Sequence, residues 1–260
     1  MTTVPPSSPA APDYPAPHGL LEGKKVLVTA AAGTGIGFAA ARRAVEEGAT
    51  VVISDKHERR CAESADELGV TGIACDVTVE DDVQALVRGA AEAMGGLDVV
   101  INNAGLGGTV PIVDMTDDQW NLVLDVTLNG TFRCLRAELQ HLYANGGGVI
   151  VNNASVLGWR AQEGQAHYAA AKAGVMALTR CAAVEAAPHG VRINAVAPSL
   201  AMHPFLAKVT SDELLAELER REAFGRAAEP WEVANVMIFL ASDYSSYMTG
   251  EVVSVSSQHP

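Results

Sequence analysis

Short apolar runs recur along this chain, separated by stretches of helical period. Residues 25–29, 51–54, 73–75, 99–101, 149–151, 192–196 and 252–255 are of strand length and rich in Val and Ile. They are mostly apolar rather than strictly alternating, which predicts strands of a parallel sheet covered on both faces. Residues 36–47, 117–144, 166–188 and 231–241 read as helices, the third Ala-rich and without an internal breaker. Strand and helix alternate, so the pattern predicts an α/β fold. Its doubly wound parallel sheet is covered on both faces and forms one domain over residues 21–260.

Two segments fall outside the pattern. Residues 1–20 hold six of the 12 prolines and almost no charge, and are expected to be a disordered arm. Residues 199–225 mix helix formers with Pro204 and are expected to be a lid. No repeat and no second domain is visible. The charged fraction of 19% and the hydrophobic fraction of 48% are ordinary for a soluble enzyme. A net charge of −13 disfavours nucleic acid and anionic lipid as partners, and no run is long enough to span a membrane. Cys61, Cys75, Cys134 and Cys181 lie far apart without metal spacing. Reduced thiols, no metal and a cytoplasmic location are the expectation.

Candidate chemistry gathers around the fifth strand. Ser155 stands just past it, and Tyr168 and Lys172 follow on the long helix, one turn apart and so on one face. A cation beside a phenol favours the phenolate, which would make Tyr168 a proton donor or acceptor near neutrality. Ser155 would hold a substrate oxygen. The plainer alternative is a Ser that caps a turn and two side chains on a helix surface. Near the start, strand one runs into Ala30-Ala31-Ala32-Gly33-Thr34-Gly35-Ile36-Gly37 and then a helix. A dinucleotide-binding loop requires that context, although a plain strand-to-helix turn would also produce it. Asp55 ends strand two, where an acid accepts from both ribose hydroxyls of NAD and repels the extra phosphate of NADP. Lys56 and His57 follow it and work the other way, and capping of the next helix is the alternative role for the Asp.

With the glycine turn, Asn102-Asn103-Ala104-Gly105 and the Ser–Tyr–Lys spacing in order, the chain resembles the short-chain dehydrogenase/reductase family over about residues 20–258. The resemblance implies a Rossmann-like seven-stranded sheet of order 3-2-1-4-5-6-7, a nicotinamide cofactor across the strand ends, and a homotetramer or dimer. It implies Tyr168 as acid/base, Lys172 on the nicotinamide ribose and lowering the Tyr pKa, and Ser155 orienting the carbonyl or alcohol. Ala30, Gly33, Thr34, Gly35, Ile36, Gly37, Asp55, Asp76, Val77, Asn103, Ala104, Gly105, Tyr168, Lys172, Pro198, Ala201 and His203 would line the cofactor, NAD rather than NADP. The glycine loop is one residue longer than the family's T-G-x-x-x-G-x-G, with Ala30 at its first glycine. Thr127 stands where the family has a catalytic Asn, and Asn129 lies too far round the helix to replace it.

Within the family, Gly146 and His189 occupy places that are basic in carrier-protein reductases. The segments NNASVLGWRAQ, FGRAAEPWEVA and SYMTGEVVSVSSQ look more like an actinobacterial group of steroid C/D-ring degradation, acting on bicyclic indane-type CoA thioesters. The expected reaction is therefore interconversion of a secondary alcohol and a ketone on such a thioester. The alternatives are a 3-oxoacyl-thioester reductase, or a non-catalytic NAD-binding regulator. Trp159 is expected as an aromatic wall beside the reacting carbon. Leu200, Met202, Phe205 and Leu206 are expected on the lid, with Arg160 and Lys208 near the CoA.

Overall fold

The computed structural model describes residues 10–202 and 212–257. Its strands are β1 (Lys25–Val28), β2 (Thr50–Asp55), β3 (Thr71–Ala74), β4 (Val99–Asn102), β5 (Gly148–Asn153), β6 (Val191–Pro198) and β7 (Val252–Val255). All neighbouring pairs are parallel and the sheet order is β3-β2-β1-β4-β5-β6-β7. Up to residue 202 the helices are α1 (Ile36–Glu46), α2 (Glu58–Leu68), α3 (Glu80–Met94), α4 (Asp117–Leu124), α5 (Gly130–Ala144) and α6 (Ala166–Ala186). From residue 212 onward they are α7 (Asp212–Arg221) and α8 (Pro230–Ala241).

Alternate residues of one strand feed opposite layers. Val26 and Val28 join Ile53, Ile101 and Val151 beneath the Ala40–Ala41–Ala44 stripe of α1 and Val233, Met237 and Ile238 of α8. Leu27, Val52 and Val100 face the other way, against Val83, Leu86 and Ala90 of α3 and Ala137 of α5. The small stripe on α1 lets two helices and the sheet approach closely, and burying each Val, Leu or Ile contributes about 1.5–3 kcal/mol.

Two expectations change. The single helix over 117–144 is interrupted by a π-helical turn, Asp125–Asn129, between α4 and α5. Gly130 opens α5 where an added Cβ would lie 2.8 Å from Val77 Cγ2, so the crossing of β3's loop requires glycine there. The arm is anchored over residues 14–20 rather than disordered. Tyr14 donates to Glu46 at 2.6 Å and meets the Trp231 ring edge-on at 5.4 Å. Arg43 donates to the carbonyls of Pro15 and Ala16, and the Glu47 carboxylate accepts from the amides of His18 and Leu20. A buried Arg43–Glu47 pair at 2.7 Å thus fastens the segment to α1.

Candidate active site

The carboxyl ends of β1, β2, β4, β5 and β6 converge on one side of the sheet, and the strand order reverses between β1 and β4. A crevice at such a switch point is where doubly wound folds bind ligands. Ser155 follows β5, caps a short turn (Val156–Gly158), and its Oγ accepts from Leu157 N at 3.2 Å. Lys172, 3% exposed, donates from Nζ to the Asn153 carbonyl at 2.5 Å and sits 5.6 Å from the Tyr168 ring centroid. All three sequence-predicted residues therefore meet at the end of β5. The space above them is bounded by the loop after β4. A Cβ on Gly105 would be 3.2 Å from Lys172 Nζ, and one on Gly107 would be 3.4 Å from the Tyr168 ring.

The electrostatics differ from the sequence expectation. Burial is the largest influence on Tyr168 and raises its phenol above the ordinary value, while a hydrogen bond with Ser155 works to lower it. Burial also pushes the Lys172 ammonium down to about 8. The Lys172 cation is turned to the Asn153 carbonyl, and in this arrangement burial of the phenol outweighs any lowering by the cation.

The glycine loop folds as a cradle. Ala30 takes a left-handed φ of 49°, and its carbonyl accepts from Asn103 Nδ2 at 2.9 Å. Any Cβ on Gly37 would fall 2.4 Å from that Nδ2, so only glycine fits. The extra loop residue is accommodated toward α2, where Gly33 N donates to Ser64 Oγ at 3.0 Å. Gly33 and Gly35 face open space, Thr34 is exposed, and Gly35 precedes Ile36 as an N-cap with no side-chain hydrogen bond. The first-turn amides of α1 are thus open to an anion such as a pyrophosphate. Asp55, at the end of β2, accepts from His57 N at 3.0 Å and from Ala32 N of this loop at 3.4 Å.

The remaining predicted positions divide. Asp76 follows β3, and its carboxylate pairs with Lys56 at 2.6 Å. Val77 turns its side chain into the core. Asn103 is a strut: its amide donates to Thr29 Oγ1 at 3.0 Å, and its side chain accepts from Asn153 Nδ2 at 2.9 Å. Ala104 N lies 3.4 Å from the same Thr29 hydroxyl. Pro198 ends β6, and Ala201 forms a bridge with Ala228. His203, with Phe205, Leu206 and Lys208, lies outside the described residues. Open glycines, bare helix amides and an acid at the end of β2 fit a nicotinamide dinucleotide.

Thr127 lies in the π turn, fully buried. Its hydroxyl accepts from Leu106 N at 2.9 Å and donates to Leu106 O at 3.1 Å. One hydroxyl therefore clamps the loop above Lys172, and the Thr127 carbonyl accepts from Thr131 Oγ1 at 2.8 Å. Sequence reasoning missed Asn153, whose backbone holds Lys172 and whose side chain holds Asn103. The Asn pair before Ala154-Ser155 was the available signal. With Arg160, Pro111, Ile112 and Val113, Trp159 lines a groove of about 790 Å³ along Ala166, Ala169, Ala170 and Ala173. The groove follows the N-terminal half of α6, the helix that also carries Tyr168 and Lys172.

A family model described as enoyl-(acyl carrier protein) reductase matches residues 30–257. The chain is 65% identical to a protein of Mycobacterium tuberculosis (strain ATCC 25618 / H37Rv) over 96% of this chain and 98% of that one. That protein is named (5R,7aS)-5-hydroxy-7a-methyl-1-oxo-2,3,5,6,7,7a-hexahydro-1H-indene-carboxyl-CoA reductase. This chain is also 40% identical to the cis-4-hydroxycyclohexanecarboxylate dehydrogenase of Sinomonas cyclohexanicum, over 89% of this chain and 95% of that one. Among solved structures, a short chain dehydrogenase from Mycobacterium smegmatis superimposes with a TM-score of 0.87 at 59% identity, covering 96% of this chain and 99% of that one. Sheet order, glycine cradle, Ser–Tyr–Lys cluster and these likenesses agree: the chain belongs to the short-chain dehydrogenase/reductase family, oxidoreductases that act on hydroxyl and keto groups with nicotinamide cofactors.

Proposed function

We propose that this protein interconverts a secondary alcohol and a ketone on a bulky alicyclic CoA thioester of steroid-ring type, using NAD. The observation that carries the substrate class is the 65% identity, over nearly the whole chain, to the indene-carboxyl-CoA reductase. The cofactor preference rests on Asp55 at the end of β2. An acid there accepts from ribose hydroxyls and opposes a 2′-phosphate. The nearby Lys56 and Arg60 each face a carboxylate, Asp76 at 2.6 Å and Asp55 at 3.8 Å.

Bound nicotinamide supplies the hydride acceptor or donor. The chain supplies the rest. Ser155 and Tyr168 present adjacent hydroxyls, hydrogen-bonded to each other, and a substrate oxygen entering there meets both. Tyr168 Oη gives a proton to that oxygen in reduction and takes it back in oxidation. Lys172, its ammonium on the Asn153 carbonyl and 5.6 Å from the Tyr168 ring, would hold the nicotinamide ribose. Asn153 and Thr127 fix, respectively, the Lys172 ammonium and the loop opposite it.

Self-association as a homotetramer or dimer is part of this reading. Ile112, Val113 and Trp159 are exposed apolar residues along the small-residue face of α6, which suits helix-to-helix packing between copies. The substrate claim is tested by NADH absorbance on three ketones: a bicyclic ring CoA thioester, its free acid, and a linear 3-oxoacyl-CoA. The ring thioester should give the highest kcat/KM. Equal or better turnover of the linear thioester would replace this reading with that of a 3-oxoacyl-thioester reductase.

A further inference from the structure

The cations near the end of β2 are all engaged by acids. Arg59 faces Glu63 at 3.7 Å, Arg60 faces Asp55 at 3.8 Å, and Lys56 reaches Asp76 at 2.6 Å. The last pair is the tightest and the only one of the three that ties β2's end to β3's end. Asp76 is itself fixed from the other side. Its Oδ1 accepts from Thr78 N at 3.0 Å and from Thr78 Oγ1 at 2.7 Å, so Oδ2 is held toward Lys56. Thr78 and the ammonium together hold the Asp76 carboxyl below its usual value, although burial, the largest single influence, works against them.

Lys56 immediately follows Asp55, the residue placed on the adenosine ribose. A 2′-phosphate there would bring a dianion beside a carboxylate, and it would need a cation within reach. An ammonium on a flexible four-carbon stem is a common phosphate partner. Lys56 is that candidate by position, yet it is turned to β3.

We propose that Asp76 is a specificity-determining residue for the dinucleotide: it holds Lys56 on the β3 side and so withholds that cation from a 2′-phosphate at the Asp55 ribose. The inference deepens the NAD reading and rests on it. Asp55 acts by repulsion and Asp76 by sequestration. Lys56 is 66% exposed, so the latch is weak and its release should change relative affinity only about two- to fivefold.

The test is a binding measurement on four proteins: wild type, Asp76→Asn, Lys56→Met and the double variant. NADH and NADPH are titrated separately by their fluorescence, giving a ratio of dissociation constants for each protein. Asn keeps an acceptor for Thr78, and Lys56 is exposed, so neither change should unfold the chain. Circular dichroism verifies this. Asp76→Asn should move the ratio toward NADPH two- to fivefold, less so at high salt. Lys56→Met alone should leave the ratio unchanged, and in the double variant the gain should disappear. The proposal is overturned if Asp76→Asn leaves the ratio unchanged. It is equally overturned if the gain survives in the Lys56→Met background, because loss of one negative charge then explains everything. A loss of NADPH affinity in Lys56→Met alone would show that Lys56 is already free to read the phosphate, and would also overturn it. The NAD reading fails separately, if wild type binds NADPH more tightly than NADH, whatever coupling the four proteins show.

Discussion

Replacing Lys172 with Met should abolish turnover and yet make the nucleotide-free protein more stable at neutral pH. The Lys172 ammonium is 3% exposed and, among the described residues, no carboxylate pairs with it. Burial brings its pKa down to about 8 from 10.5. The folded value therefore lies below the unfolded one. Below pH 8 both states are protonated, and the fold bears the full cost of the buried charge, about 3 kcal/mol. Between pH 8 and 10.5 the unfolded chain binds more protons than the folded one, so stability rises with pH and the cost is relieved. Met has no charge to bury but leaves the Asn153 carbonyl without its donor, at about 1–3 kcal/mol. At pH 7 the variant should thus be ahead by about 1 kcal/mol, or about 2–4 °C in Tm. The clearer signal is the slope. Urea unfolding of both proteins from pH 7 to 10.5 should show wild type gaining about 3 kcal/mol on the variant. Parallel curves would refute the claim that Lys172 is held as a strained cation.

Three further outcomes follow from the geometry. Gly37→Ala should lose NADH binding in a fluorescence titration, since its Cβ would fall 2.4 Å from Asn103 Nδ2 and displace the strut joining β1, β4 and β5; normal binding would show that the strut is dispensable. Thr127→Val should lower stability by about 1–3 kcal/mol and reduce kcat, because both Leu106 backbone groups lose their partner. Thr127→Asn, whose carboxamide offers both a donor and an acceptor, should retain most activity, and equal damage from both variants would contradict the clamp. Glu138, buried against Asn102, has its pKa raised by burial to about 8, so its contribution to stability is whole below pH 4.5 and lost as pH rises through 8. Glu138→Gln should therefore gain on wild type across that window in urea unfolding, and an unchanged difference would place Glu138 outside any titration.

The sheet was legible because its central strands are buried and carry little polar alternation, whereas the edge strands β3 and β7 are partly exposed. Ser155, Tyr168 and Lys172 were legible because strand end and helical period are local properties. The break at Asp125–Asn129 was not, since DVTLN contains neither Pro nor Gly. Its cause is tertiary: Thr127 bonds to Leu106, and Gly130 accommodates Val77. Residues 14–20 read as disordered from their prolines. The side chains that hold them, Arg43 and Glu47, look in sequence like ordinary surface charges on α1. The Lys56–Asp76 pair spans two strand ends, and no spacing rule finds it.

The central claim is that Tyr168 moves the proton at the substrate oxygen while the rest of the site binds and orients. Tyr168→Phe tests it most directly, assayed by NADH absorbance on the bicyclic ketone CoA thioester with NADH affinity measured in parallel. The account predicts a loss in kcat on the order of 10²–10⁴-fold or more, with the NADH dissociation constant nearly unchanged. Turnover close to wild type in that variant would contradict it.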